Sequence, residues 1–190
     1  MALFIQMSSV RQFFLRNSTA SRANRHKFHH TLYVCNMKRI AVFPGSFDPI
    51  TRGHENIVRR GASIFDEVIV AIGVNTTKQS MFSLEVRKKW LVDTFADLPH
   101  VRIETFDGLT VEFCKKNKAT YLLRGLRNGG DFEYERTIAH MNKALWPELE
   151  TILVFTDPEY ASVHSTVIRE IIKNKGDVSQ FVPTKVNIYE

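Results

Sequence analysis

Cysteine is scarce in this 190-residue chain. Its two cysteines, Cys35 and Cys114, are far apart and do not form the closely spaced pairs that are typical of metal sites. Neither does so small a number indicate a disulfide framework. The pattern therefore predicts two reduced thiols and favours a cytoplasmic protein.

Long apolar runs are also missing, so we expect neither a membrane span nor a membrane partner. The opening residues MALFIQM are too short and poorly flanked for a secretory signal. Acidic residues are absent from 1–36, whereas that segment has five basic ones. These are Arg11, Arg16, Arg22, Arg25 and Lys27.

The segment 1–36 has three interpretations. Met37 directly precedes a strand-like run, so 1–36 could be an artefact of start-site choice, which we favour. An Arg-rich and Ser-rich segment without acids is also typical of an organellar transit peptide, and another disordered tail is the third possibility. Without this segment the chain has 21 basic and 20 acidic residues. Because this balance gives no excess positive charge on the domain, we expect no nucleic-acid partner.

The two familiar glycine-rich phosphate motifs, GxGxxG and GxxxxGK[ST], are absent from the sequence. What is present from residue 37 onward is a regular alternation of short apolar runs and helical patterns. Alternation of this kind predicts right-handed crossovers and a parallel sheet. We therefore predict one α/β domain over 37–190, a Rossmann-like, doubly wound, five-stranded parallel sheet. The predicted strands are 38–43, 67–74, 101–106, 120–125 and 151–155, and the predicted helices are 54–65, 83–98, 110–117, 131–146 and 165–175.

Ligands of such sheets bind beyond the carboxyl ends of the strands. The first strand is followed by PGSFDPITRGH (44–54), where Ser46 offers a hydroxyl and His54 falls in the first helical turn. A helix N-terminus attracts anions, so an imidazole there is a donor directed at an anion. The alternative is an ordinary strand–turn–helix connection with a capping residue.

Phosphate-compatible side chains follow three more strands. Lys78 follows the second, and Arg124 and Arg127 follow the fourth on a glycine-rich loop that suits a polyphosphate clamp, although Arg127 could instead pair with Asp131. Glu135 lies one turn into the next helix. After the fifth strand, Ser165 and Thr166 begin a helix, where Ser165 could serve simply as the N-cap. Together these residues predict an enzyme that binds a polyanion.

Four segments in order carry a family resemblance. PGSFDPITRGH, KQSMF, RGLRNGGDFEYERTIAHMNKALWPELET and HSTVIRE resemble the bacterial phosphopantetheine adenylyltransferases, with similarity from Met37 to about Val186. The [ST]xGH turn occurs across the nucleotidyltransferase superfamily, whereas RGLR followed by DFEYE and AHMN is distinctive of this family.

The resemblance implies transfer of AMP from ATP to 4'-phosphopantetheine, giving dephospho-coenzyme A and pyrophosphate by in-line attack without a covalent intermediate. It implies Mg²⁺ as the cofactor, no metal ligand among the protein side chains, and a homohexamer. It makes His54, Lys78 and Arg127 catalytic, with His54 stabilising the transition state. The implied substrate contacts are Ser46, Lys78, Thr110 and Arg124, and the implied ATP contacts are Ser46, Phe47, His54, Gly125, Leu126, Arg127, Glu135 and 160–166 (Tyr160, Ala161, Ser162, Val163, His164, Ser165 and Thr166).

Two departures from the family pattern stand out. Ser46 occupies a position where threonine is common, and His164 lies in a loop that is usually rich in serine. Three other functions compete with this one: a nucleotidyltransferase acting on nicotinate mononucleotide or a glycerol or choline phosphate, a non-catalytic nucleotide-binding module, and a nucleic-acid binder acting through the basic segment.

Overall fold

The computed structural model describes residues 38–74 and 79–189. Five strands alternate with five α-helices, as the sequence predicts, and the bounds differ from the predicted ones by a few residues. The strands are β1 (Ile40–Gly45), β2 (Glu67–Gly73), β3 (Val101–Phe106), β4 (Tyr121–Leu126) and β5 (Glu150–Phe155). The helices are α1 (Arg52–Ala62), α2 (Leu84–Thr94), α3 (Thr110–Lys116), α4 (Gly129–Leu145) and α5 (Ser165–Lys173).

The helix bounds follow from local capping. Helix α1 begins at Arg52 because Thr51 is the N-cap, and its side chain accepts from the His54 N–H. Helix α4 begins at Gly129 because the Asn128 side chain accepts from the Asp131 N–H. The prediction that α2 extends to residue 98 is wrong. That helix ends at Thr94, and a turn closed by the Leu98 N–H to the Phe95 carbonyl leads the chain into β3.

All five strands are parallel, in the order β3-β2-β1-β4-β5. Alternate residues of each strand point to opposite faces, and both faces are covered. On one face, side chains such as Phe43 and Val70 pack with α1 and α2. On the other face, Val42 and Ile69 pack with α3. The predicted doubly wound sheet is thus confirmed, and β2 residues 68–72 have no exposed surface.

The sheet opens between its central strand, β1, and the neighbouring strand β4. Pairing of β1 with β2 continues to Gly45, and pairing of β4 with β5 continues to Leu126. Pairing of β1 with β4 stops at Val42 and Leu122. The carboxyl halves of β1 and β4 therefore separate, which creates the crevice expected where the strand order reverses.

Among the described residues, none of the helices is both long and apolar enough to span a bilayer. The predictions for residues 1–36 lie outside the part of the chain that the structure describes.

Candidate active site

The loop between β1 and α1 is shaped by a close approach of Gly45 and Phe47. A Cβ atom on Gly45 would lie 2.8 Å from the tip of the Phe47 ring, so the position requires glycine. Phe47 has a φ of 47° and a fully buried side chain. Its backbone turns the chain sharply, while its ring packs edge-on against the His54 imidazole with centroids 5.3 Å apart. The ring therefore forms a wall for His54.

His54 is the third residue of α1 and takes part in a capping box. The Thr51 N–H donates to His54 Nδ1 at 3.1 Å, and the His54 N–H donates to Thr51 Oγ1 at 3.3 Å. Because Nδ1 accepts, the proton of the neutral ring is on Nε2. Burial, and to a smaller extent the charges of Arg127 and Arg124, lower the pKa of His54 to about 4. At neutral pH the side chain is thus an uncharged Nε2–H donor in a fixed orientation.

Arg124 spans the gap between β1 and β4. Its Nη1 donates to the Pro44 carbonyl oxygen at 2.8 Å, and its Nε and Nη2 donate to the two Glu135 carboxylate oxygens at 2.8 and 2.5 Å. Pro44 has no N–H of its own to contribute. The side chain thereby links β1, β4 and helix α4 at the point where the sheet opens.

Arg127 has a carboxylate partner too, which is the pairing that the sequence left open. Its Nε and Nη2 donate to the Asp131 carboxylate at 2.8 and 3.0 Å, and its Nη1 donates to His164 Nδ1 at 2.5 Å. The Arg127 side chain lowers the pKa of Asp131, mainly through these hydrogen bonds. Arg127 is therefore held between the β4–α4 loop and the segment that precedes α5.

The suggestion that Ser165 caps α5 is wrong. His164 is the N-cap residue and its side chain makes no cap hydrogen bond. Ser165 is the first helical residue, and its hydroxyl donates to the Pro49 carbonyl oxygen at 3.1 Å. Thr166 Oγ1 accepts from Arg169 Nη2 at 3.1 Å, and Arg169 Nη1 donates to the Asp48 carbonyl oxygen at 2.6 Å. The start of α5 is thus tied to the β1–α1 loop, and its dipole favours anions.

Two pockets adjoin at the opening of the sheet. The larger one, of about 440 Å³, is polar. It is lined by Phe43, Pro44, Gly45, Ser46, Thr51, Gly53, His54, Ile57, Arg124, Gly125, Arg127, Asp131, Tyr134, Glu135, Thr156, Tyr160, Val163, His164, Ser165, Thr166 and Arg169. The smaller one, of about 270 Å³, is mainly apolar. It is lined by Pro44, Gly45, Ser46, Gly73, Phe106, Thr110, Leu122, Arg124, Glu135, Ile138, Asn142 and Thr151.

Five residues line both pockets and thus form a shared wall: Pro44, Gly45, Ser46, Arg124 and Glu135. The polar pocket has three arginines and two carboxylates among its described lining residues. Since each carboxylate pairs with an arginine, Arg169 is the unbalanced charge. The described part of the polar pocket therefore has a net positive charge and suits an anion.

Most of the residues singled out in the sequence lie at these pockets. Lining the polar pocket are Ser46, His54, Arg124, Gly125, Arg127, Glu135, Tyr160, Val163, His164, Ser165 and Thr166, while Thr110 lines the apolar one. Phe47 and Leu126 are buried instead, and Ala161 and Ser162 lie outside both linings. Lys78 falls outside the described residues.

Three residues at or beside the pockets were not anticipated. Thr51 could have been identified from the sequence, because a threonine three residues before His54 has the spacing of a capping box. Arg169 lies one turn into α5 and reaches back to the pocket, which only the packing of α5 reveals. Arg87 was also missed. It is buried and donates to the Ser46 carbonyl oxygen at 2.7 Å, which holds the backbone of that residue in place.

Metal-ligating side chains do not cluster in the described part of the chain. It contains no group of three or more His, Cys, Asp or Glu side chains that could hold a metal ion. Both carboxylates of the polar pocket, Asp131 and Glu135, are engaged by arginines through two oxygens each.

Comparison with known proteins first identifies the broad family of this chain. Residues 42–171 match the cytidylyltransferase-like family. The phosphopantetheine adenylyltransferase of Flavobacterium johnsoniae is 47% identical over 150 residues, which cover 79% of this chain and 98% of that protein. Its counterpart from Thermosynechococcus vestitus is 49% identical over 147 residues, or 77% of this chain and 88% of that protein. The one from Bdellovibrio bacteriovorus is 47% identical over 150 residues, which cover 79% of this chain and 94% of that protein.

A doubly wound sheet with a crevice of net positive charge at its switch point is typical of nucleotide-binding enzymes, and the family match makes this chain a nucleotidyltransferase. More particularly, the chain belongs to the phosphopantetheine adenylyltransferase family. This confirms the resemblance read from the sequence.

Proposed function

We propose that this enzyme transfers AMP from ATP to 4'-phosphopantetheine and releases dephospho-coenzyme A and pyrophosphate. The observation that carries the proposal is the shared wall between a polar, cationic pocket and an apolar pocket. A nucleoside triphosphate matches the first, and a phosphate ester with a long, weakly polar arm matches the second. Their reacting phosphates would meet at Ser46 and Arg124.

In the polar pocket, groups that can donate to a phosphate come from three separate segments, namely Arg124 and Arg127 in and just after β4, the neutral His54 in α1, and Arg169 in α5. The amino ends of α1 and α5 add their dipoles. A triphosphate placed among them would be held from several sides at once. Catalysis of this kind is mostly positioning and stabilisation of charge.

The proposed reaction is a direct displacement at the α-phosphorus. An oxygen of the phosphopantetheine phosphate forms a bond to that phosphorus, while the bond to the bridging oxygen of pyrophosphate breaks and pyrophosphate leaves with the electron pair. The neutral His54 Nε2–H would donate to an α-phosphate oxygen and stabilise the charge that builds up there. No protein nucleophile is needed, since the acceptor phosphate itself attacks.

In the apolar pocket, Thr110 and Phe106 would contact the pantetheine arm. Arg124 in the wall would hold the acceptor phosphate together with Lys78. Mg²⁺ would supply charge neutralisation on the triphosphate. Because arginines already engage Asp131 and Glu135, the ion would be held by triphosphate oxygens rather than by these side chains.

An acceptor panel tests the substrate assignment. We expect pyrophosphate release from ATP with phosphopantetheine, and none above background with nicotinate mononucleotide or glycerol phosphate. Release only with one of the latter would refute the assignment.

A His54→Ala variant tests the mechanism against a non-catalytic nucleotide-binding module. Loss of one transition-state donor should lower kcat by about 10²–10³-fold. ATP should still bind, because Arg124, Arg127 and Arg169 remain. Full activity in the variant would contradict the role of His54.

We also propose a cytoplasmic homohexamer. Large apolar side chains stand exposed on α4, among them Tyr134, Met141 and Leu145, and Phe155 at the end of β5 is exposed too. An exposed set of this kind is typical of an interface between subunits. Light scattering coupled to gel filtration should give the mass of six chains, and a monomer at micromolar concentration would contradict the proposal.

A further inference from the structure

Glu135 is a buried carboxylate that the proposed reaction does not use directly. It is 6% exposed and is the only buried residue of α4 in the described part of the chain. A buried charge is costly unless it is paired and hydrogen-bonded. A buried carboxylate in the shared wall must therefore have a partner that compensates its charge.

That partner is Arg124. Both carboxylate oxygens accept from the guanidinium, Oε2 from Nε at 2.8 Å and Oε1 from Nη2 at 2.5 Å. A two-point contact between planar groups fixes the orientation of the guanidinium as well as its position. The Pro44 carbonyl oxygen, 2.8 Å from Nη1, adds a third fixed point.

The Arg124 guanidinium retains capacity for a ligand in this arrangement. It has five N–H groups, of which the three contacts use one each on Nε, Nη1 and Nη2. One N–H on each of Nη1 and Nη2 remains. Arg124 can thus hold Glu135 along one edge and offer the remaining pair of donors to a phosphate, so Glu135 does not have to leave when an anion binds.

We infer that Glu135 is a positioning residue for Arg124, and that it fixes the guanidinium for the phosphate of the acceptor substrate. This inference rests on the proposed function. It adds to the role that the family resemblance implies, in which Glu135 contacts ATP.

A Glu135→Gln variant separates the two roles. The amide keeps the size of the side chain but has one acceptor oxygen, and its NH₂ group repels the guanidinium. If Glu135 positions Arg124, the KM for phosphopantetheine should rise about tenfold or more. A rise confined to the KM for ATP would overturn the inference.

A double-mutant cycle gives a second, independent readout. In an Arg124→Ala background, Glu135→Gln should add nothing further to the KM for phosphopantetheine, because its effect passes through Arg124. Additive effects would overturn the inference. Should Glu135→Gln fail to fold, Glu135→Asp serves instead in the same cycle, because it keeps the charge and only shortens the reach.

Asp66→Asn is the matched control for loss of a carboxylate that pairs with an arginine. Asp66 accepts from Arg39 through both oxygens, but the pair is exposed and lies at the amino end of β1, away from both pockets. Its kinetic constants should equal those of the wild type, and a rise in its KM for phosphopantetheine like that of Glu135→Gln would overturn the inference. Failure of the proposed function would be seen separately, as a wild-type enzyme that releases no pyrophosphate with phosphopantetheine.

Discussion

Replacing His54 with asparagine should make the protein less sensitive to acid. The folded chain holds this imidazole neutral with a pKa of about 4, mainly because the ring is buried, whereas its ordinary value is 6.5. As the pH falls below about 6.5, His54 binds a proton in the unfolded chain but stays neutral in the folded chain. Unfolding therefore becomes more favourable. Asparagine does not titrate, and its side-chain oxygen can still accept from the Thr51 N–H.

The size of the effect follows from the shift. The difference between the two pKa values corresponds to about 3 kcal/mol once the pH is below both. Between about pH 7 and about pH 5, His54 should cost the wild type about 2 kcal/mol of unfolding free energy. The stability lost by His54→Asn over the same range should be smaller by that amount, since the other titrating groups are common to both proteins.

Urea unfolding at several pH values, followed by circular dichroism at one fixed protomer concentration, measures this difference. His140→Asn is the matched control, because His140 is an exposed histidine on α4. That control should lose as much stability as the wild type. Equal losses in the wild type and in His54→Asn would refute the conclusion that the folded protein keeps His54 neutral.

Three further predictions concern the surroundings of the site. Thr51→Val removes the cap of α1, so it should lower the free energy of unfolding by about 1 kcal/mol, and because it also removes the Thr51 Oγ1 contact with His54 Nδ1 at 3.1 Å, it should lower kcat several-fold in a pyrophosphate assay. Gly45→Ala places a methyl group 2.8 Å from the Phe47 ring and should destabilise the protein by about 1–3 kcal/mol in urea unfolding. Burial raises the pKa of Cys114 to about 12, so with the other cysteine replaced by serine, a disulfide reagent at pH about 8 should label the native protein far more slowly than the urea-unfolded chain.

Two of these have matched controls. Ser83→Ala removes the cap of α2, where the serine side chain accepts from the Val86 N–H at 3.3 Å. It should lower stability as Thr51→Val does but leave kcat unchanged, and an equal fall in kcat would contradict the specific role of Thr51. Gly129→Ala adds a methyl group with nothing within 4 Å, so it should not destabilise the protein. Rapid labelling of native Cys114 would contradict its burial.

The order of elements could be predicted because it depends on local patterns. Runs of β-branched residues such as EVIVAIG become strands, and stripes of apolar residues become helices, largely independently of what lies elsewhere. A parallel sheet then places every strand's carboxyl end at one edge. That rule alone predicts that His54, Arg124 and Arg127 lie close together, and all three line the polar pocket.

Pairing between distant side chains could not be predicted in the same way. Nothing local shows that Arg124 and Glu135, 11 residues apart, form a partly buried ion pair. The prediction that Ser165 could cap α5 was also wrong. Serine is a typical N-cap residue, but this hydroxyl donates to the Pro49 carbonyl oxygen in the β1–α1 loop. Phe47 is similar, since the left-handed turn that buries its ring depends on Gly45 and His54 packing around it.

Sequence alone determined that this chain forms a parallel α/β sheet with hydroxyl and cationic side chains at its carboxyl edge, and which family its motifs belong to. Only the tertiary structure decided that β1 and β4 separate after Val42 and Leu122, and that Arg124 and Glu135 stand in the wall between two unlike pockets. The physical reason is the distance along the chain over which each effect acts. Backbone preference and apolar periodicity act over a few residues, whereas burial, ion pairing and pKa depend on groups that only folding brings together.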